Sequence, residues 1–293
     1  MVPAEICSYI ETYFPQWKQH KEQVQSFSMI GGGCIHRSYR VDTQQGSYFL
    51  KWNDIREAHN LQVEAKGMHL LKEKSLFDIP NVLFQGEAAE KYTFLLLSFV
   101  ESGIPKRQYW EEFGERLARL HLITTAQFGL PYDNYIGRLP QSNTQYANWA
   151  DFFVLERLEP MIRMARNAQY LDRYIAREFE RLYSRIESLC PKEAPALLHG
   201  DLWSGNILTT SKGEATLIDP AVYFGHREMD IAFSTLFDSF PTRFYESYNR
   251  VYPMELNWEE RLDLYNLYPL LVHVNLFGQG YIASVKRTLK QYL

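Results

Sequence analysis

One stretch constrains this chain more than any other: Leu198-His199-Gly200-Asp201-Leu202-Trp203-Ser204-Gly205-Asn206-Ile207-Leu208, followed shortly by Leu217-Ile218-Asp219-Pro220. Two acids and one amide sit at short offsets, each on a loop that follows an apolar run. Asp201 is a candidate proton acceptor. Asn206 and Asp219 are hard oxygen donors of the kind a small divalent cation prefers. Such a set suits a reaction that needs positioning and charge stabilisation more than covalent catalysis, and phosphoryl transfer is the leading example.

Kinases present a catalytic Asp, an Asn five positions later and a further Asp on a separate loop, in that order. Asp201, Asn206 and Asp219 reproduce the order and the first offset. Gly200 stands where protein kinases carry Arg, and Pro220 where their metal-binding loop carries Phe. Both departures point toward small-molecule acceptors.

The N-terminal third supplies the expected nucleotide-binding parts. Ile6, Ile10, Tyr13, Phe14 and Trp17 recur at helical spacing and predict an amphipathic helix. Phe27 to Ile30 reads as a strand entering Gly31-Gly32-Gly33-Cys34, and Arg37 to Val41 as its return. Without Cβ atoms, three glycines let backbone N–H groups approach phosphates closely. Ser47 to Leu50 is a further strand with Lys51 at its end, and a strand lysine of this kind pairs with nucleotide phosphates while a helical glutamate holds it. The helix predicted over 56–74 offers Glu64, beside Leu61, Met68 and Leu71, with Glu57 as its competitor. Two more strands, Asn81 to Gln85 and Tyr92 to Leu97, lead into Ser98-Phe99-Val100, whose backbone is the candidate adenine contact.

Beyond residue 100 the pattern turns helical. Trp110, Phe113, Leu117, Leu120 and His121 share one helical face, and a packed core histidine explains His121 better than a ligand does. Residues 133–143 read as a long polar loop, a feature uncommon unless functional. A helical stretch is expected from Trp149 to Leu189, with Arg157, Arg163 and Arg166 on a solvated face. Asp230 has the character of a helix N-cap and is expected to buttress the Asp201 loop. The expectation is an α+β fold with two lobes, a small β-rich lobe at 1–100 and a larger helical lobe at 101–293.

Composition narrows the partners. The formal net charge of -4 leaves no overall basic footprint for nucleic acid, and no apolar run is long enough to span a bilayer. The three cysteines Cys7, Cys34 and Cys190 are too few and scattered for a disulfide framework. The first residues lack a basic segment followed by an apolar one, so a cytoplasmic setting is expected.

His199-Gly200-Asp201-Leu202-Trp203-Ser204-Gly205-Asn206 resembles the loop of the fructosamine/ketosamine-3-kinase family. Asn134-Tyr135-Ile136-Gly137, Pro140-Gln141, Trp149 with Phe152-Phe153, Ile218-Asp219-Pro220-Ala221, Gly225-His226-Arg227-Glu228 with Asp230, and Tyr268 to His273 resemble that family as well. The resemblance runs almost end to end and implies a protein-kinase-like fold. It implies ATP-dependent phosphorylation of the 3-hydroxyl of ketosamines, free or on glycated protein lysines, as a monomer or weak dimer. In that frame Asp201 is the base, Asn206 and Asp219 hold Mg²⁺, and Lys51 with Glu64 steadies the phosphates. Trp203 and His226 become candidate contacts for sugar or amine, with packing as the other reading of Trp203. In the family that the loop resembles, cysteine recurs at the Cys34 position, which suggests a redox-sensitive thiol, with a small residue tolerated in a turn as the other reading. The competing readings are a kinase of another small amine or sugar, of aminoglycoside or choline type, and a pseudokinase binding module.

Overall fold

The computed structural model describes residues 1–18, 24–31, 37–44 and 46–293, with backbone alone for 13–18. Gly32, Gly33 and Cys34, and the side chains of Tyr13, Phe14 and Trp17, lie outside the described residues. The chain divides into two compact units. One comprises Met1–Glu73, Phe77–Lys106 and Leu208–Ile218; the other comprises Lys74–Leu76, Arg107–Ile207 and Asp219–Leu293. Residues 208–218 thus pack with the N-terminal unit although they follow it far along the chain.

The first unit begins with α1 (Ala4–Lys18), β1 (Val24–Met29), β2 (Arg37–Thr43) and β3 (Ser47–Asp54), then α2 (Ala58–Lys74), β4 (Val82–Ala88) and β5 (Tyr92–Ser98). The strands form one antiparallel sheet in the order β1-β2-β3-β5-β4. Strand side chains alternate between faces, and β3 shows the consequence. Tyr48, Leu50 and Trp52 are buried with Val2, Ile6, Ile10, Tyr39, Val41, Phe94 and Leu96. Lys51 points the other way, where α2 supplies Glu64. Strand β3 runs three residues past Lys51, which therefore sits mid-strand between Ser38 and Leu95 rather than at a strand end. A lysine flanked by paired strands on both sides has little backbone freedom.

The second unit starts with α3 (Tyr109–His121), the hairpin β6 (Asn134–Ile136) and β7 (Leu139–Gln141), then α4 (Trp149–Phe152), α5 (Glu159–Asn167), α6 (Arg173–Leu189) and β8 (Ala196–Leu198). The polar segment 133–143 is thus a hairpin, not a loop: its amides are buried and bonded to one another. The stretch 149–189 is not one helix. A wide π-type turn spans Phe153–Leu158, and α6 begins afresh where the Asp172 carboxylate accepts from the Ile175 N–H. The short strands β9 (Ile207–Thr209) and β10 (Ala215–Leu217) form a hairpin. Within the first unit it is tied down by Gly103 N–H to Thr209 O at 3.1 Å and by Thr216 Oγ1 to Asp78 O at 2.6 Å.

The chain returns through β11 (Tyr223–Gly225), α7 (Glu228–Phe233), α8 (Thr242–Val251), α9 (Leu262–Phe277) and α10 (Ile282–Tyr292). Helix α9 is buried on every side over Leu264–Val272, as a central helix must be when apolar all round. Its Leu264, Leu267, Leu271 and Val274 share a core with Phe152, Phe179, Leu182 and Ile186. Each such side chain contributes roughly 1.5–3 kcal/mol by leaving water. No helix among the described residues is long and apolar enough to cross a membrane.

Candidate active site

Strand β8 pairs with β11 antiparallel, Leu198 opposite Tyr223. This short ladder brings two loops together: 199–206 leaves β8, and 219–222 enters β11. The Ala221 N–H donates to His199 O at 2.9 Å, continuing the ladder into the loops. Gly200 has φ +82°, and a Cβ there would lie 2.1 Å from Ala221 O, so only glycine lets the two loops close this tightly. Asp219 itself adopts φ +53°, a left-handed conformation uncommon for Asp and of the strained kind that collects at functional sites.

Within this frame Asn206 and Asp201 are joined directly. Asn206 Nδ2 donates to Asp201 Oδ2 and to Asp201 O, both at 2.8 Å. That orientation turns the amide oxygen away from Asp201. Asp201 keeps some solvent-facing surface, yet the packing around its carboxyl is dense. Burial pushes it up to about 7, the bond from Asn206 opposes the rise, and the carboxylates of Asp219 and Asp230 add to it. A carboxyl poised near neutrality can take up a proton at physiological pH. Asp219 is partly exposed.

The loop is gripped from behind by Asp230. Its Oδ2 accepts from the His199 N–H at 2.7 Å and its Oδ1 from the Gly200 N–H at 2.9 Å. His121 Nε2 lies 3.3 Å from the same carboxylate, while His121 Nδ1 meets Tyr248 Oη at 2.7 Å. Asp230 is therefore the buttress expected, but not by capping its own helix. It sits two residues inside α7 and caps the backbone of the neighbouring loop instead. His121 is the packed, bonded core histidine that its helical face suggests.

Of the acceptor-side candidates, Trp203 is half-buried, with its ring over Gly205 and edge-on to Phe237 at 5.7 Å between centroids. His226 does not reach a substrate. It is fully buried, stacked on Tyr265 at 5.3 Å and 3.7 Å from Glu193 Oε2. A second histidine, His273, stands on α9. It is half-buried, with ring centroids 4.9 Å from Phe237 and 5.4 Å from Phe277. Its Nδ1 meets Pro269 O at 2.7 Å, and burial lowers its pKa. Arg157 is corrected too: it is buried rather than solvated.

In the first unit Lys51 Nζ and Glu64 Oε1 are 2.8 Å apart, with side chains 4% and 10% exposed. This selects Glu64 over Glu57 as the lysine's partner. Ser98 donates its N–H to Asn81 O at 2.9 Å, so that group is already engaged. Arg40 lies over the Phe99 ring at 4.7 Å. Gly31 has open space where a Cβ would stand. Gly32, Gly33 and Cys34 fall outside the described residues.

Among the described residues no cluster of three or more His, Cys, Asp or Glu is arranged to hold a metal alone. One amide oxygen and one carboxylate at loop ends fit a hard cation that shares its remaining positions with water and phosphate oxygens, as Mg²⁺ does.

The family pattern described as fructosamine kinase matches residues 7–293. A protein of Enterococcus faecium named a probable ketoamine kinase is 38% identical over 270 residues, covering 90% of this chain and 94% of its own. A chloroplastic protein-ribulosamine 3-kinase of Arabidopsis thaliana is 35% identical over 92% of this chain and 83% of its own. The solved structure of a Haemophilus somnus protein described as a fructosamine-3-kinase superposes with a TM-score of 0.86 at 27% identity, covering 97% of this chain and 96% of that one.

Proposed function

The chain belongs to the fructosamine kinase family and is a phosphotransferase with a protein-kinase-like fold; from that premise we propose that it moves the γ-phosphoryl group of ATP to the 3-hydroxyl of a ketosamine. The observation that carries the reading is the Asn206–Asp201 pair, with the amide turned so that its oxygen is left for a cation. Asp201 accepts the proton of the sugar hydroxyl as its oxygen forms a bond to the γ-phosphorus. The bond from that phosphorus to the β,γ-bridging oxygen breaks, and ADP leaves.

Asn206 and Asp219 would hold Mg²⁺, which when bound neutralises charge on the phosphate oxygens. Lys51, steadied by Glu64, neutralises further phosphate oxygens. The backbone of Phe99 and Val100 takes the adenine, with Ser98 completing the segment, and Gly31, Gly32 and Gly33 supply N–H groups to phosphate. Trp203 offers a ring face to the C–H surface of the sugar and to a protonated amine. Once the ketosamine enolises to its 1,2-enaminol, the phosphate on carbon 3 is allylic, and the nitrogen lone pair expels it as inorganic phosphate. Water then hydrolyses the imine left at carbon 1 and frees the amine, which makes the reaction a step of protein deglycation in a cytoplasmic setting.

The test is an acceptor panel with phosphate position read by phosphorus NMR. Fructose-, ribulose- and erythrulose-derived lysine adducts, free and on a protein, are compared with an aminoglycoside and with choline. Acceptor-dependent ATP consumption with phosphate on carbon 3 is expected for at least one ketosamine. Turnover on the aminoglycoside or choline alone would reassign the acceptor. Nucleotide binding without turnover on any acceptor would make the chain a binding module.

A further inference from the structure

The hairpin of β6 and β7 places Asn134 and Gln141 opposite each other. Their amides are buried, and both reach the backbone that follows Asp219. Gln141 Nε2 donates to Ala221 O at 3.1 Å and to Asn134 Oδ1 at 2.8 Å. Gln141 Oε1 accepts from Tyr268 Oη at 2.7 Å. Asn134 Nδ2 donates to Val222 O at 2.8 Å. The Gln141 amide can stand only this way round, because the reverse would set its oxygen against the Ala221 carbonyl oxygen.

A second layer holds the first. Asn143 Nδ2 donates to Asn134 Oδ1 at 2.9 Å, and Arg157 holds Asn143 Oδ1 at 2.7 Å and Ser142 O at 2.6 Å. Arg157 is fully buried, and among the described residues no carboxylate lies within 4 Å of it. Its guanidinium instead lies over Tyr223, 4.0 Å from the ring centroid, and over Phe152 at 4.5 Å. Burying a cation without an acid is costly unless it is well bonded and stacked. Here the cation fixes the amides that hold residues 221 and 222.

Ala221 is the convergence point. Its N–H goes to His199 O, and its carbonyl is confined between Gly200 and Gln141. Two residues earlier stands Asp219, in a left-handed conformation that the surroundings must hold in place. We propose that Gln141, acting through the Ala221 carbonyl, is a positioning residue for Asp219 and sets the affinity of the site for its divalent cation. This rests on Asp219 being a cation ligand, as proposed above. Gln141 touches neither substrate nor cation. Its loss frees the 219–222 segment to relax at Asp219, while the Asp230 carboxylate still grips the backbone of His199 and Gly200 beside the base.

The experiment compares full-length wild type with Gln141→Met, which keeps the size of the side chain but removes its amide, and Tyr268→Phe, which removes only the bond to Gln141 Oε1. Leu171→Ala, a core substitution between α5 and α6, controls for general destabilisation. Each is titrated with Mg²⁺ at fixed ATP, following nucleotide binding by calorimetry, which needs no acceptor, and initial rate. For Gln141→Met the half-maximal Mg²⁺ concentration should rise roughly tenfold, the scale seen when an outer partner of a metal ligand is lost. Its rate at saturating Mg²⁺ should stay near that of wild type. Tyr268→Phe should shift the same way by less, and it decides the matter if Gln141→Met does not fold. Leu171→Ala should lower the melting temperature with no Mg²⁺ shift. Unchanged Mg²⁺ dependence in the folded variants, or an equal shift in Leu171→Ala, overturns the inference. Nucleotide binding by wild type that ignores Mg²⁺ altogether would instead overturn the role given to Asp219.

Discussion

The carbonyl of Ala221 occupies the space that a side chain on Gly200 would need: a Cβ there would stand 2.1 Å from the oxygen. The obstructing atom is backbone, held by its own hydrogen bonds, so it cannot swing aside as a flexible side chain could. Gly200 also has φ +82°, a conformation that L-residues rarely adopt. Gly200→Ala should therefore separate the two loops. Strain and overpacking together should cost about 3 kcal/mol of stability. Activity should fall by more than the loss of folded protein explains. Denaturant unfolding with steady-state kinetics on the folded fraction checks both, and wild-type kinetics in a folded Gly200→Ala would refute the close-approach argument.

The pairing of Lys51 with Glu64 makes a second prediction. Both side chains are nearly buried, 4% and 10% exposed, so removing one leaves the other charge short of compensation. Breaking such a pair typically costs about 3–5 kcal/mol. Glu64→Ala is expected near the lower end, because Glu64 retains some solvent contact. Lys51→Met should raise the apparent KM for ATP at least as strongly as Glu64→Ala does. If Glu64→Ala leaves both stability and the ATP dependence untouched, the glutamate does not hold the lysine in solution.

Asp201 and Asp219 should fail differently. With Asp201 as the proposed base, Asp201→Asn should cost roughly 10²–10⁴-fold in turnover while nucleotide still binds. With Asp219 as the proposed cation ligand, Asp219→Asn should weaken Mg²⁺-dependent nucleotide binding itself. Calorimetry on both variants beside their turnover distinguishes the roles. Substantial turnover by Asp201→Asn at saturating substrate would remove it as the base.

How much of this was legible in the sequence depends on whether the deciding contact is local. The offset from Asp201 to Asn206 is short, so one loop sets their geometry and the residue types alone suggested it. Glu64 was legible because strand alternation and helical spacing together put it opposite Lys51. His226 misled because a histidine near the catalytic motif looks available, whereas Tyr265, Trp149 and Glu193 enclose it. All three of those partners lie far from it in the chain. Arg157 misled for the same reason: aromatic rings from Phe152, Tyr223 and Tyr268 bury it, and two of those rings come from later elements. Asp230 was recognised as a buttress, but which backbone it caps follows only from the packing of α7 against the loop after β8.

The burial of His226 has a consequence for stability that pH should reveal. Burial drives its pKa down to about 4, outweighing the attraction of Glu193, with Arg227 and Arg261 lowering it further. In the unfolded chain the imidazole titrates at the ordinary value of about 6.5. Between those two values the unfolded state binds the proton and the folded state does not. Stability is therefore intact above about pH 6.5 and falls as the pH drops toward about 4. From pH 7 to pH 5 the loss from this group should come to about 2 kcal/mol. Other groups titrate over the same range, so the informative quantity is a difference. His226→Gln, which cannot take up a proton, should show a shallower loss of stability between pH 7 and pH 5 than wild type does. Urea unfolding of both proteins at several pH values measures it, and parallel curves would mean that His226 is protonated as easily in the folded protein as in the unfolded chain.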